Sequence, residues 1–218
     1  MKITYIPFTI ILFICLFSKA QPPTKENDFN KIQMDKIILS SGENNFTGNL
    51  SLFQNGNEIY NNSTGYKDRK NETPIDEKTR FRIGSISKIF TAVMIMQLIE
   101  QNKLDLESRL SEFIPRVKLS DQITIEQLLS HKSGIFNYTE LKDYYKFHQD
   151  TLTLDEIVDK FNVKRRKFKP GKKSQYSNSN YILLTLILEQ IEQDYYGNIL
   201  KKKILEPYQL NNTYCCDN

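Results

Sequence analysis

The alternation of apolar and polar positions divides the chain into a few distinct stretches. An apolar run of 13 residues occupies positions 5–17, and residues 21–29 are polar. Within 30–39, Ile32, Ile37, Ile38 and Leu39 are set among charges, a pattern that predicts a short helix. Two strand-like runs follow, 46–53 and 58–66. Asn55-Gly56 between them is a strong hairpin signal, because both residues tolerate the positive φ that a two-residue turn demands. Residues 67–80 are charged and rich in turn formers, which predicts a surface loop. Residues 86–98 are apolar nearly all round, as a buried central helix should be. Thr124-Ile125-Glu126-Gln127 and Thr153-Leu154-Asp155-Glu156 both fit a capping box, and each should open a short helix. Phe168-Lys169-Pro170-Gly171 reads as a tight turn. A second strongly apolar helix is expected over 181–191 and a last short one over 199–205. No internal repeat is found. A strand pair followed mainly by helices predicts an α+β fold with the helices segregated from the sheet.

Composition narrows the functional classes. A chain of 218 residues suffices for one sizeable core or two small ones. The formal charge is +4, and losing residues 1–20 with Lys2 and Lys19 would leave +2, too little for a general affinity for nucleic acid. Lys2 ahead of the apolar run, with small Ser18 and Ala20 after it, reads as an export signal cleaved before Gln21. Thirteen residues are short for a membrane span, although a retained anchor is the rival reading. A lipoprotein signal at Cys15 is opposed by bulky Ile14. The expected organisation is therefore a signal peptide over 1–20 and one domain over 21–218, located in the periplasm or secreted, with no stable span after cleavage. Export also argues against a nucleic-acid partner. Cys215 and Cys216 are adjacent and rarely bridge without strain, so no disulfide framework is implied. With only His131 and His148 and no Cys/His cluster, neither a metal site nor another cofactor is indicated.

Two short polar motifs about 90 residues apart carry the candidate chemistry. Ser85-Ile86-Ser87-Lys88 lies within Phe81-Arg82-Ile83-Gly84-Ser85-Ile86-Ser87-Lys88-Ile89-Phe90, and Tyr176-Ser177-Asn178 follows Pro170-Gly171. The first sets a serine at the start of a helix with a lysine one turn later on the same face, an arrangement that suits a nucleophile with an amine beside it. The second offers a phenol and an amide. A bare Ser-x-x-Lys match is expected by chance roughly once or twice in such a chain, so order and context decide. Taken singly, Ser85 reads as an N-cap, Lys88 as a solvated side chain, and Tyr176 with Asn178 as a turn.

In order along the chain, several segments resemble the serine β-lactamase and penicillin-binding protein superfamily, in particular its class C β-lactamase, D-alanyl-D-alanine carboxypeptidase and esterase branch. They are the early hairpin, the segment 81–88, Lys103-Leu104-Asp105-Leu106, and the stretch from Ile123 to Ile135. The likeness continues through Pro170-Gly171 with Tyr176-Ser177-Asn178-Ser179-Asn180-Tyr181 and ends near Leu205-Glu206-Pro207-Tyr208. The resemblance implies an acyl-serine mechanism. Ser85 would be the nucleophile, Lys88 a base if burial and nearby charge lower its pKa, and Tyr176 a proton relay. Asn178 would bind the serine–lysine network or a substrate amide. The Ser85 amide, at a helix N-terminus, would face the developing oxyanion. The implied substrate is a small molecule or a peptidoglycan peptide.

Two nearby features are read conservatively. Lys132-Ser133-Gly134 mimics another superfamily motif but precedes the tyrosine motif, so it is read as a structural turn with His131 as a structural residue. The run Lys164-Arg165-Arg166-Lys167-Phe168-Lys169, with Lys172 and Lys173, is read as a solvated loop; the functional alternative has it attract anionic substrates. The superfamily's third motif, His-x-Gly or Lys-Ser/Thr-Gly on a later strand, does not follow in the 40 residues after Asn178. The expectation is an N-terminal portion of the domain with an incomplete antiparallel sheet. Three readings stay open: an exported serine hydrolase, a non-catalytic remnant that binds cell-wall peptide or a protein, and an esterase on small acyl esters.

Overall fold

The computed structural model describes residues 31–43, 47–148, 150 and 152–215. The expected signal segment, Phe46 of the strand expected over 46–53, and Cys216 lie outside the described residues. The chain divides after Phe81 into two compact units.

The first described element of the first unit is α1 (Lys31–Glu43), longer than the helix expected over 30–39. The hairpin follows as β1 (Gly48–Gln54) and β2 (Asn57–Thr64), paired antiparallel with Gly48 opposite Thr64 and Gln54 opposite Asn57. Asn55 and Gly56 form its turn with φ of 51° and 80°, as the sequence required. Buried Tyr60 on β2 ties the hairpin to α1 by donating its hydroxyl to Asp35 Oδ1 at 2.8 Å. The expected surface loop over 67–80 instead contains a second small ladder, β3 (Tyr66–Asp68) paired with β4 (Thr73–Pro74). Gly65 breaks the strand between β2 and β3 with φ of 85°. Tyr66 therefore belongs to a different ladder from the one its alternation suggested.

The second unit is helical. Its elements are α2 (Ser87–Glu100), α3 (Ile125–Leu129), α4 (Tyr144–Phe147), α5 (Leu154–Asn162), α6 (Asn178–Glu192) and α7 (Tyr196–Leu200). Both capping boxes form. Thr124 Oγ1 accepts from Gln127 N–H while Gln127 Oε1 accepts from Thr124 N–H, and Thr153 exchanges the same pair of bonds with Glu156. The helix expected over 199–205 is α7 followed by a π-helical turn at Lys201–Leu205.

The core of this unit lies between α2 and α6. Thr91, Met94, Ile95 and Leu98 of α2 recur at the 3.6-residue period, as do Asn180, Leu183, Leu184, Ile187 and Leu188 of α6. The helix α2 is not buried all round, contrary to its composition. Ile89, Val93 and Met96 form a second stripe, 39–63% exposed. Composition registers how apolar a helix is; only its packed neighbours decide which stripe is covered.

Pro170-Gly171 forms the expected tight turn, with Lys172 N–H donating to Lys169 O at 3.2 Å and Gly171 at φ of 77°. Gly134 is required by both conformation and space. Its φ is 72°, and a Cβ there would stand 2.1 Å from the carbonyl oxygen of Phe168. The basic run is only partly a solvated loop. Arg166 is half-buried and donates to the carbonyl oxygens of Ser133 and Lys118, and Lys167 pairs with Glu140 at 2.9 Å. Burial lowers the Arg166 pKa to about 10. Among the described residues no helix is long and apolar enough to cross a membrane.

Candidate active site

Four side chains from two segments meet at the start of α2. Gly84, at φ of 51°, leads into a 3₁₀ turn, Gly84–Ile86, that runs without a break into α2. Ser85 sits in this turn and is not an N-cap, because its hydroxyl makes no capping bond. Ser87 does not cap the helix either; its hydroxyl donates to Gly84 O at 2.7 Å. The three-residue spacing then brings Lys88 Nζ to 3.0 Å from Ser85 Oγ.

The Tyr176 hydroxyl reaches the same serine from the loop before α6, with Ser85 Oγ and Tyr176 Oη 2.8 Å apart. Tyr176 in turn donates to Asn178 Oδ1 at 3.2 Å. The direction of the chain follows from its ends. A charged lysine only donates, and the Tyr176 proton is committed to Asn178, so the Ser85 proton points at the phenol oxygen. The Asn178 amide is engaged on its other side as well. Its Nδ2 donates to Asn137 Oδ1 and Thr139 Oγ1, each at 3.3 Å, and its backbone N–H donates to Asn137 Oδ1 at 3.0 Å.

Burial pushes up all three phenols around this cluster, and Tyr138 and Tyr181 remain above the ordinary tyrosine range. At Tyr176 hydrogen bonds from Lys88 and Ser85, with the Lys88 charge, outweigh burial and bring the phenol below that range. Lys88 Nζ also lies 5.2 Å from the Tyr176 ring centre and 5.7 Å from that of Tyr181, close enough for cation–π attraction. Tyr176 is therefore the phenol best suited to lose a proton.

Lys132-Ser133-Gly134 contributes no wall to this cluster. Ser133 is buried and donates to Asn180 Oδ1 at 2.7 Å, and Lys132 pairs with Glu126 at 3.2 Å. Lys172 and Lys173 are exposed. Asn137, Thr139 and Tyr181 reach the site although sequence reasoning assigned them no part in it. Tyr181 lay in a family-like segment and was legible in principle; nothing marked Asn137 or Thr139, which arrive through a loop between helices.

Comparison with known proteins places these features in context. A family model described as Beta-lactamase matches residues 45–215. The teichoic acid D-alanine hydrolase of Staphylococcus aureus is 28% identical over 190 residues, covering 87% of this chain and 45% of the hydrolase. Among solved structures, FmtA from Staphylococcus aureus is 27% identical with a TM-score of 0.70, covering 83% of this chain and 49% of FmtA. D-amino acid amidase from Ochrobactrum anthropi SV3 is 25% identical with a TM-score of 0.71, covering 81% of this chain and 49% of the amidase. A penicillin binding protein from Bacillus halodurans is 25% identical with a TM-score of 0.72, covering 82% of this chain and 56% of that protein. The chain thus spans about half the length of these relatives.

Proposed function

The chain belongs to the beta-lactamase family, and from that premise we propose that it carries the acylation site of an exported serine hydrolase. The carrying observation is the approach of Lys88 and Tyr176 to one serine oxygen, at 3.0 and 2.8 Å. In this reading the Ser85 proton passes along its existing hydrogen bond to the Tyr176 phenolate, and Oγ attacks the substrate carbonyl carbon. Lys88 stabilises the phenolate by charge and so supplies the basicity a serine alcohol lacks at neutral pH. The positive end of the α2 dipole at the Ser85 amide favours the developing oxyanion. Collapse expels the leaving group, which takes the proton from Tyr176, and leaves an ester on Ser85. Water then gives a proton to the regenerated phenolate and attacks the ester carbonyl; collapse breaks the bond to Oγ, which takes the proton back from Tyr176 and restores Ser85.

The similarity to a teichoic acid D-alanine hydrolase and a D-amino acid amidase supports small D-aminoacyl esters or amides as substrates. A peptidoglycan peptide ending in D-alanine belongs to the same chemical class. A substrate amide or carbonyl would compete with Thr139 for the Asn178 amide, which gives Asn178 its substrate-binding role. Lys2, the apolar run 5–17 and Ala20 support export.

Covalent labelling tests the proposal. A fluorophosphonate or labelled β-lactam should form an adduct on Ser85, found by mass spectrometry of the full chain and lost in Ser85→Ala. Folded protein that takes no label would overturn the hydrolase reading in favour of a binding protein.

A further inference from the structure

His131 lies behind Tyr176 and contacts the tyrosine segment through both backbone and ring. It follows Ser130, the C-cap of α3, with φ of 58°, a left-handed conformation in which histidine is one of the few enriched side-chain-bearing residues. Its carbonyl accepts from Gln175 N–H at 2.9 Å, and its Nδ1 accepts from Ser177 N–H at 3.2 Å. The imidazole and Tyr176 ring centres are 4.6 Å apart, and Tyr181 flanks the imidazole at 5.4 Å. The neighbouring residues continue the grip, with Gly171 N–H on Lys132 O at 2.9 Å and Ser174 Oγ on Ser130 O at 3.1 Å. The turn at 130–132 is thus a template on which 171–177 is laid.

We propose that His131 is the positioning residue for Tyr176: its neutral imidazole, carrying the proton on Nε2, holds residues 175–177 so that the phenol reaches Ser85. The tautomer follows from the donors around Nδ1. Ser177 N–H points at it, and Asn180 Nδ2 lies 3.5 Å away. A second proton would turn Nδ1 into a donor facing donors and would add a cation beside Lys88. The groups facing the ring are Lys88 from α2, Tyr176 from its loop and Tyr181 from α6; on its own segment, Lys132 is paired with Glu126. Burial, then the Lys88 charge, hold the imidazole pKa below its ordinary range, in keeping with a ring kept neutral. On this basis, acidification releases Tyr176 from Ser85.

The inference rests on the hydrolase reading for its effect on rate, but its geometry is testable without turnover. NMR of the full chain with ¹⁵N-labelled histidine, assigned with His131→Asn and Tyr176→Phe, should show the Nε2–H tautomer of His131 at pH 7. As pH falls, the Tyr176 ring resonances should shift with the His131 midpoint and not with that of His148. An Nδ1–H tautomer, or a Tyr176 ring unmoved through the His131 titration, would overturn the proposal. The second measurement is the rate of Ser85 labelling against pH. His131→Ala should lose about 10–100-fold, the cost of a misplaced reacting group. Asparagine tolerates the left-handed backbone and offers an acceptor that does not titrate, so His131→Asn should recover at least tenfold of that loss and flatten the acid limb. A wild-type acid limb in His131→Asn would overturn the proposal. If His131→Ala does not fold, the wild-type titration and His131→Asn carry the decision. If no form labels, the hydrolase reading fails while the NMR result still decides the role of His131.

Discussion

Ser85 and Tyr176 are 91 residues apart in sequence, and their hydroxyl oxygens are 2.8 Å apart in space. The bond has a direction, because Lys88 donates to the serine and Tyr176 donates to Asn178. The serine proton points at the phenol oxygen, which can take it only after losing the proton it gives to Asn178, so the phenol's protonation state is measurable through the serine's reactivity.

Removing the phenol oxygen should therefore slow labelling of Ser85 by about 10²–10⁴-fold, the usual worth of a positioned base. The reactive form is the deprotonated phenol, so the wild-type rate should rise with pH. Its midpoint should lie under the ordinary tyrosine value of about 10, because hydrogen bonds and the Lys88 charge outweigh burial at Tyr176. Tyr176→Phe should lose that alkaline limb. A limb that persists in the variant would assign it to another group.

Lys88→Met removes the cation that helps bring the phenol down. Tyr176 should then titrate at higher pH, as followed by phenolate absorbance, with Tyr176→Phe as the blank. Labelling at neutral pH should fall with it. Lys88→Arg keeps a charge but changes the reach and geometry of the donor, so it should restore only part of the loss.

Ser133 and Asn180 form a buried pair below the site. Ser133 Oγ donates to Asn180 Oδ1 at 2.7 Å, and Asn180 Nδ2 donates to Leu128 O at 3.2 Å. Either alanine substitution strands a buried polar group and should cost about 1–3 kcal/mol in denaturant unfolding. The double variant should lose less than the sum, because the second change removes the orphan left by the first.

Gly134→Ala places a Cβ against the Phe168 carbonyl in a left-handed residue. Backbone cannot yield as a side-chain tip does, so a loss of about 2–4 kcal/mol is expected by chemical denaturation. Because this glycine belongs to the turn that contacts 167–171, Ser85 labelling should fall as well.

The two faces of α2 separate packing from composition. Ile95 is fully buried and Ile89 is 63% exposed. Ile95→Ala should cost about 2–5 kcal/mol, whereas Ile89→Ala should stay within about 0.5 kcal/mol. Equal effects would mean that the exposed stripe is covered in solution.

What could be read without coordinates was local. The capping boxes at Thr124 and Thr153, the Asn55-Gly56 turn and the Pro170-Gly171 turn are satisfied within a few residues, so their chemistry is written in adjacent positions. The same holds for Ser85 and Lys88, which one helical turn brings together. Motif order along the chain also pointed to Tyr176 through family likeness, though no rule of spacing could join it to a serine 91 residues away.

The remainder was decided by tertiary contacts. The β3–β4 ladder lay hidden in a charged segment, because pairing there depends on a register that polar residues do not announce. The uncovered stripe of α2 was invisible because hydrophobicity measures the gain from burial, not whether a neighbour supplies it. His131 reads from sequence as a structural residue, and its bonds to Gln175 and Ser177 needed the fold to appear, as did the arrival of Asn137 and Thr139 beside Asn178. Sequence alone determined the elements whose ends are fixed locally, the two capped helices α3 and α5 and the β1–β2 hairpin, since capping and turn chemistry act over single turns. Only the packed structure determined which side chains share the site, since those distances are set by how α2, α6 and the intervening loops close on one another.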